Sequence, residues 1–504
     1  MPVLKINDEG KISRLAAESG EMLLDILRYH NYGIYSPCGG NGTCGKCKVY
    51  IRNMGYATSC IYPIEEDIEI ILPDRFESSI LAAQYEHTKE VVFSPGEAAG
   101  LSQDPRGIAI DLGTTTLVFH LVDLKSGFLL ASRTEMNPQT GYGADVISRI
   151  NYCMMHPEGL KTLQSKLMDV INKQIRCFCD GFGMVRNDIV RIVISGNTTM
   201  LHILCGIHPE PLAFYPFKPV FTDSKTLDPG NPGWQCHPKA VVETLPSLSA
   251  YIGADILAGM ATLQLPSGHR NALFIDVGTN GEMALLTPGK IYCCAAAAGP
   301  AFEGAKIEHG MGAVNGAISA FQGRDDFCVI GGAKPMGICG SGLIDMIHFM
   351  LKNGVLDNDG YLETPYPVVS AEKSGLSKDI VVTPQDIREV QLAKSAISAG
   401  IRLLTRRGGL TLDEVDAVYI AGGFGNHIRA ESAVGIGLFP ENLYGKIIPV
   451  GNTSGTGALL AVQSTHFLAD IAGIRERSVV FELTEDERFL TEFADNMDFP
   501  IGRG

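Results

Sequence analysis

LFIDVGTNGE, residues Leu273 to Glu282, repeats an earlier stretch of the chain, IAIDLGTTT, residues Ile108 to Thr116. In each copy a short apolar run ends on an acid, Asp276 or Asp111. A glycine and a hydroxyl residue follow, Gly278-Thr279 and Gly113-Thr114. An apolar run of this length, bounded by turn residues, reads as a buried strand. The strand delivers one carboxylate to its end, where it can hold magnesium through water. The turn glycine lets backbone N–H groups approach a phosphate, and the hydroxyl adds a donor. One Asp-X-Gly turn is a common structural feature. Two copies suggest a duplicated fold that grips one polyphosphate from both sides.

At 504 residues the chain is too long for a single core and predicts two to four domains. Its 45% hydrophobic and 19% charged residues describe an ordinary globular protein. A net charge of −15 argues against nucleic acid or an anionic membrane surface as partner. The start, MPVLKINDEG, has no basic segment leading into an apolar core, and no run of about 18 apolar residues occurs, so neither a secretory signal nor a membrane span is expected. Of the 13 cysteines, four are clustered, which fits one metal centre in a reducing cytoplasm better than a disulfide scaffold.

The cluster lies in SPCGGNGTCGKCKVYI, giving Cys38, Cys44 and Cys47 with five and two residues between them, and Cys60 follows after twelve more. A loop this rich in glycine can wrap an inorganic cluster and aim backbone N–H groups at its sulfurs, which favours the reduced state. Tetrahedral zinc is the alternative, but zinc sites usually pair two C-x2-C units and this chain has one. The loop and the later Cys60 resemble a 2Fe–2S ferredoxin domain of the β-grasp type. The C-x5-C-x2-C spacing is that of adrenodoxin-like members. The resemblance implies one-electron transfer with Cys38, Cys44, Cys47 and Cys60 as ligands.

Residues 1–85 thus read as a ferredoxin-like domain, with a short helix in Glu21 to Asn31, and residues 86–106 as an extended, moderately flexible linker. From Gly107 the signals alternate between strand and helix. Leu160, Leu163, Leu167, Ile171, Ile175 and Phe178 mark one face of a long amphipathic helix. Ile189 to Ser195 is a buried-type strand. Thr383-Pro384-Gln385-Asp386 caps a helix running to about Arg407, with Gly408-Gly409 as terminator. Ala417 to Ala421 is a strand, and the glycine-rich stretch from Gly451 to Gly457 opens what reads as the last helix.

This order resembles the acetate-kinase, sugar-kinase and actin superfamily. The resemblance implies a duplicated ribonuclease-H-like (actin-like) ATPase core over residues 107–504, with subdomains of about 107–270 and 271–504, behind an N-terminal β-grasp domain: an α/β and α+β multidomain chain. It places Asp111, Gly113, Thr114 and Thr115 at a first phosphate turn and Asp276, Gly278, Thr279 and Asn280 at a second. It places Asp255 in a connecting segment as a metal- or water-positioning acid. Gly422, Gly423 and Gly425 would line the adenosine, and Gly455 and Gly457 would start a second connector.

A 2Fe–2S domain fused ahead of such a core is similar to the reductive activators of corrinoid proteins. NPQTGYGADVISRI (137–150), GNTTM (196–200), AAAAGPAFEGAKIEHGMGA (295–313) and CGSGLIDM (339–346) resemble that family in detail. The resemblance implies ATP- and magnesium-dependent reduction of Co(II) to Co(I) on the corrinoid protein of a methyltransferase system. It also implies an upstream electron donor and a homodimer through the ATPase core. Longer members carry an extra small domain after the ferredoxin, where this chain has only the connector. The loop from Ala295 to Gly312, small and next to the second phosphate turn, is expected to face the partner or the cobalt.

The other signals have plainer readings. Cys293-Cys294, Cys177 and Cys179 read as packing thiols. Gln391 and Lys394 could reach a ribose but read more simply as a solvated helix face. His309, His348 and His427 stand alone, so no further metal is assigned. Two other functions compete: a small-molecule kinase with an appended redox-sensing domain, in which Asp255 would be the base, and a carrier or scaffold with a degenerate ATPase half, against which the three intact aspartates speak.

Overall fold

The structure is a computed structural model that describes residues 2–8, 11–30, 32, 34, 40, 47–52, 54–72, 88–265, 268–324, 326–422 and 428–500. It divides into two units, Met1–Ser79 with Val91–Ala254 and Ala458–His466, and Ile80–Glu90 with Asp255–Gly457 and Phe467–Gly504.

In the first unit, VLKIND forms β1 (Val3–Asp8), with Leu4 and Ile6 turned inward and fully buried. It pairs antiparallel with β2 (Lys11–Ala16). A two-residue strand β3 (Glu21–Met22) leads into α1 (Leu23–Tyr29), whose Leu23, Leu24, Ile26 and Leu27 are buried. After the cysteine loop come β4 (Lys48–Ile51), β5 (Gly55–Thr58), β6 (Pro63–Ile64) and β7 (Ile68–Ile71). The main sheet has the order β2-β1-β7-β4-β5, with β1 and β7 parallel. A helix packed on such a mixed sheet is the β-grasp arrangement expected of the N-terminal domain.

A second sheet of this unit contains β8 (Arg106–Leu112), whose residues Gly107 to Leu112 are all buried, as a strand covered on both faces requires. It runs antiparallel through β9 (Thr116–Asp123) to β10 (Leu129–Met136). The helices α2 (Val146–Met155) and α3 (Gly159–Phe182) follow. Then β11 (Ile189–Gly196) returns parallel to β8. Past α4 (Thr198–Leu204) come β12 (Thr226–Leu227) and β13 (Val241–Thr244), giving the order β10-β9-β8-β11-β13-β12. On α3, Leu163, Leu167, Ile171, Ile175 and Phe178 are buried as their spacing predicts, while Leu160 is only partly covered.

The second unit repeats this plan. After α5 (Ala254–Thr262), the meander β14 (Ala272–Val277), β15 (Gly281–Leu286) and β16 (Ile291–Ala296) is antiparallel. An excursion follows through β17 (Ala317–Gly323), β18 (Asp326–Val329), β19 (Gly337–Ile338), α6 (Gly340–Lys352), β20 (Tyr366–Val369), β21 (Ile380–Val382) and α7 (Pro384–Arg407). Then β22 (Ala417–Ala421) returns parallel to β14, and β23 (Ile447–Gly451) parallel to β22. The order β23-β22-β14-β15-β16 repeats β13-β11-β8-β9-β10, with β24 (Ser478–Val480) added outside β16. Asp111 and Asp276 therefore sit at the same place in two copies of one sheet, as the duplication requires.

Three sequence expectations are corrected. Residues 88–106 are fastened rather than a free spacer: Lys89 N donates to Thr262 O, Ser94 N to Gln463 O, and Thr465 N to Ser94 O at 2.7 to 2.9 Å, and a 3-10 turn spans Glu97–Leu101. The helix opened by Gly451–Gly457 is α9 (Thr453–Gln463), preceded by α8 (Ala430–Gly435). It is not the last, because α10 (Thr465–Arg477) and α11 (Phe489–Asp495) follow. Gln391 and Lys394 are buried, at 2% and 1% exposure, because the chain's C-terminal stretch covers them. Lys394 Nζ donates to the carbonyls of Asn496 and Asp498, and Gln391 Nε2 to those of Asp359 and Met497. Among the described residues no helix is long and apolar enough to cross a membrane.

Inside the first unit His120 of β9 is 3% exposed, with Nδ1 2.7 Å from Ser132 Oγ on β10. Burial pulls its pKa down to about 4. The unfolded chain takes up a proton near pH 6.5 and the folded one resists until about 4, so the stabilisation is complete above 6.5 and lost as pH falls through that window. The loss is expected to approach 3 kcal/mol, from roughly 1.4 kcal/mol per pH unit. His120→Gln, which keeps a partner for Ser132, should remove most of this acid sensitivity, read from hydrogen exchange of the β8–β10 amides between pH 7 and 4.5.

Candidate nucleotide and cluster sites

The first turn closes between β8 and β9. Asp111 is the last acid of β8 and is 9% exposed. A Cβ at Gly113 would overlap the carbonyl oxygen of Thr116, so only glycine closes this turn. The carbonyls behind the turn are all held. Asn137 Nδ2 donates to Gly113 O and its backbone N to Thr115 O, both at 2.8 Å. Arg149 Nη2 donates to Thr114 O. The Arg149 guanidinium is fully buried and also donates to Gly143 O at 3.0 Å and Gln139 Oε1 at 3.2 Å. Such partners are what a buried cation requires, since taking the charge out of water costs several kcal/mol. Asn197 caps α4 through Met200 N and donates from Nδ2 to Thr114 Oγ1 at 3.0 Å. That bond uses Thr114 Oγ1 as acceptor and leaves its proton to point elsewhere.

The second turn closes between β14 and β15. Gly278 N donates to Asn280 O at 2.9 Å, and the Thr279 hydroxyl donates to the Glu303 carboxylate. Asp276 stands opposite Glu282 across the ladder, and the Asn280 amide bonds the Glu282 carboxylate. Glu282 is held well above the usual carboxylate range, first by burial and then by the charges of Asp276 and Asp255. Asp255, in the first turn of α5, therefore belongs to the same acidic group. Gly422, at φ +83°, ends β22 beside Asp276, and a Cβ there would overlap Asp276 Oδ1. Asn452 caps α9 by accepting from Gly455 N at 2.9 Å. At Gly457 a Cβ would come within 2.7 Å of Ala258 Cβ, and at Gly259 within 2.7 Å of Thr453 Oγ1, so at each contact between α5 and α9 a glycine makes room for a small side chain of the other helix. Among the described residues no three His, Cys, Asp or Glu side chains form a ready-made metal cage. Nucleotide magnesium ordinarily takes one or two carboxylates together with phosphate oxygens and water, and Asp276 with Asp255 is a set of that kind.

In the β-grasp domain Cys47 is fully buried and Cys60 half-buried in the 3-10 turn Ser59–Ile61. Ser59 joins them: its N and Oγ both donate to Cys47 O at 2.8 Å. Two of the four proposed thiols thus lie on neighbouring, mutually bonded backbone, which fits a sulfur-ligated cluster. Cys38 and Cys44 lie outside the described residues, as do Gly423 and Gly425. Elsewhere burial pushes Cys153, Cys205 and Cys236 up to about 11 and Cys293 to about 12, with Cys294 well above its ordinary value.

Residues that sequence reasoning did not single out are Ser59, Asn137, Arg149, Asn197, Glu282 and Glu303. Most of them lie in strings already quoted above, Asn137 and Arg149 in NPQTGYGADVISRI, Asn197 in GNTTM and Glu303 in AAAAGPAFEGAKIEHGMGA, but nothing local in those strings shows what each side chain bonds.

A ferredoxin-type domain joined to a duplicated actin-like core defines a class: iron–sulfur proteins with an attached ATPase fold. Residues 6–69 match the 2Fe-2S iron-sulfur cluster binding domain, residues 106–267 the RACo middle region, and residues 270–503 the C-terminal domain of RACo, the ASKHA domain. The corrinoid activation enzyme RamQ of Eubacterium limosum is 33% identical over 417 residues, covering 78% of this chain and 70% of that one. The [Co(II) methylated amine-specific corrinoid protein] reductase of Methanosarcina barkeri is 26% identical over 382 residues, covering 69% and 68%. A solved structure of a reductive activator for corrinoid, iron-sulfur protein aligns over 99% of this chain and 98% of its own, at 29% identity and a TM-score of 0.71. The chain belongs to this family of corrinoid activators. The 2Fe–2S and ATPase domains expected from the sequence are those of the family.

Arg149→Lys should uncouple the first turn, because an ammonium cannot span three acceptors. ATP hydrolysis is expected to fall at least tenfold, with β8–β11 still folded by hydrogen exchange. Gly422→Ala should weaken Mg-ATP binding comparably, measured by calorimetry. Wild-type affinity in the alanine variant would remove Gly422 from the site.

Proposed function

We propose that this protein passes one electron from a 2Fe–2S cluster to the inactive Co(II) form of a corrinoid protein in a methyltransferase system, regenerating Co(I), and that ATP drives the transfer. One observation supports this reading most directly. A ferredoxin fold that draws Cys47 and Cys60 together shares a chain with two copies of a sheet, each ending its central strand on an acid and a glycine turn. The cluster supplies a single electron at a modestly negative potential, and Cys38, Cys44, Cys47 and Cys60 hold it.

Co(II) with its axial ligands is a poor acceptor. An uphill gap of ~100 mV costs about 2.3 kcal/mol for one electron, since tenfold is 59 mV. Nucleotide binding can offset that only through a conformation that holds the partner differently. Gly113, Thr114 and Thr115 receive phosphate at the first turn, with Thr114 donating the proton that Asn197 leaves free. Gly278, Thr279 and Asn280 receive it at the second. Asp111, Asp255 and Asp276 position magnesium and the attacking water, Gly422, Gly423 and Gly425 the adenosine, and Gly455 and Gly457 the second connector. ATP and water give ADP and phosphate, one electron moves, and no phosphoryl group reaches the corrinoid. An upstream electron donor, assembly as a homodimer through the ATPase core and a cytoplasmic location belong to the same proposal.

The test is the anaerobic absorbance of a candidate corrinoid protein mixed with this protein and a reductant. Co(I) should accumulate at least tenfold faster with ATP. Cys47→Ser should lose both the cluster spectrum and the activity. A Co(I) yield indifferent to ATP would sink the gating role.

A further inference from the structure

Arg28 lies at the end of α1 and touches both domains of the first unit. Its guanidinium carbon sits 5.2 Å from the centre of the Tyr142 ring, a cation–π contact. A Cβ at Gly141 would lie 3.3 Å from Arg28 Nε, and one at Gly40, within the cysteine loop, 3.1 Å from both terminal nitrogens. The side chain is therefore flanked by a glycine on each side, and it is 13% exposed. Burial lowers its pKa, while Asp25, Tyr142, Tyr152 and the Cys47 thiol lie close enough to pull it back. Lys166 of α3 adds a second tie, donating to Arg28 O at 2.9 Å and Tyr29 O at 3.4 Å, the last carbonyls of α1. Behind Tyr142, Tyr152 stands edge-on at 5.0 Å and stiffens the platform.

That platform is continuous with the first nucleotide turn. The 3-10 turn Pro138–Gly141 begins at Asn137, which holds the Gly113 and Thr115 carbonyls, and Arg149 bonds both Gln139 and Thr114 O. A phosphate at the turn would pull the same peptide units from the opposite side, through their N–H groups. Asn137 and Arg149 would carry that shift to Gly141 and Tyr142, where the close glycine contacts leave little slack.

We propose that the surface formed by Gly141, Tyr142 and Lys166 is a docking site for the chain's own cluster-carrying domain, latched by Arg28, and that nucleotide at the Asp111–Thr116 turn releases the latch. This rests on the nucleotide reading of that turn. Linkage is reciprocal, so weakening the latch tightens nucleotide binding by the same factor.

Hydrogen exchange on the full chain with its cluster reconstituted tests this, with and without a magnesium-bound non-hydrolysable ATP analogue. The analogue should protect residues 111–116 and raise exchange in residues 23–29 severalfold. Arg28→Ala and Tyr142→Ala should each raise exchange in 23–29 without nucleotide and tighten analogue binding about fivefold, within the usual coupling range. Protection of 111–116 with 23–29 unchanged overturns the latch and leaves the nucleotide site standing. No protection at 111–116 overturns the nucleotide reading and the latch with it. If Arg28→Ala loses the cluster spectrum, Tyr142→Ala and Lys166→Met decide, since both lie outside the ferredoxin fold. Wild-type exchange in 23–29 in both would overturn the proposal.

Discussion

A turn that presents its N–H groups to an anion must have its carbonyls held from behind, and in this protein Asn137 and Arg149 do the holding at Gly113, Thr114 and Thr115. Three peptide units are thereby set in one orientation, and the Arg149 charge is kept inside the fold by acceptors rather than by water. Removing any of these bonds leaves a buried polar group unsatisfied, a larger penalty than the gain of the bond itself. The string NPQTGYGADVISRI is thus less a connection between β10 and α2 than the rear wall of the first turn.

The second turn has the same strand plan but a different chemistry. Carboxylates surround it: Glu303 on the Thr279 hydroxyl, Glu282 across from Asp276, and Asp255 nearby. Such a concentration of acids raises the pKa of the most buried of them and favours a divalent cation as counter-charge. Duplication has kept the geometry of the sheet while each copy acquired its own partners.

Much of this was legible in the sequence. Buried strands announced themselves as unbroken apolar runs ending on Asp111 and Asp276. The limits of α7 followed from Thr383, Pro384 and the glycines after Arg407, because caps are local chemistry. The cysteine spacing pointed to an iron–sulfur cluster, and the resemblance to adrenodoxin-like ferredoxins implied the domain around it. What failed to show was non-local. Arg149 on an amphipathic helix looks like a solvated charge until Thr114, far earlier in the chain, is seen to need it. Gln391 and Lys394 face carbonyls about a hundred positions later, so no window on the helix could reveal their burial. The stretch 88–106 had the composition of a spacer, but its backbone pairs with residues beyond 260 and 460.

The thiols outside the cysteine loop carry one more consequence. Cys153, Cys205, Cys236, Cys293 and Cys294 are driven toward the protonated state by burial, and a protonated thiol is neither a good nucleophile nor a good iron ligand. Iron and sulfide delivered to the folded chain would find these five sulfurs chemically silent. Burial therefore withholds these five thiols from metal and oxidant alike, whereas Cys328 of the ATPase half stands exposed.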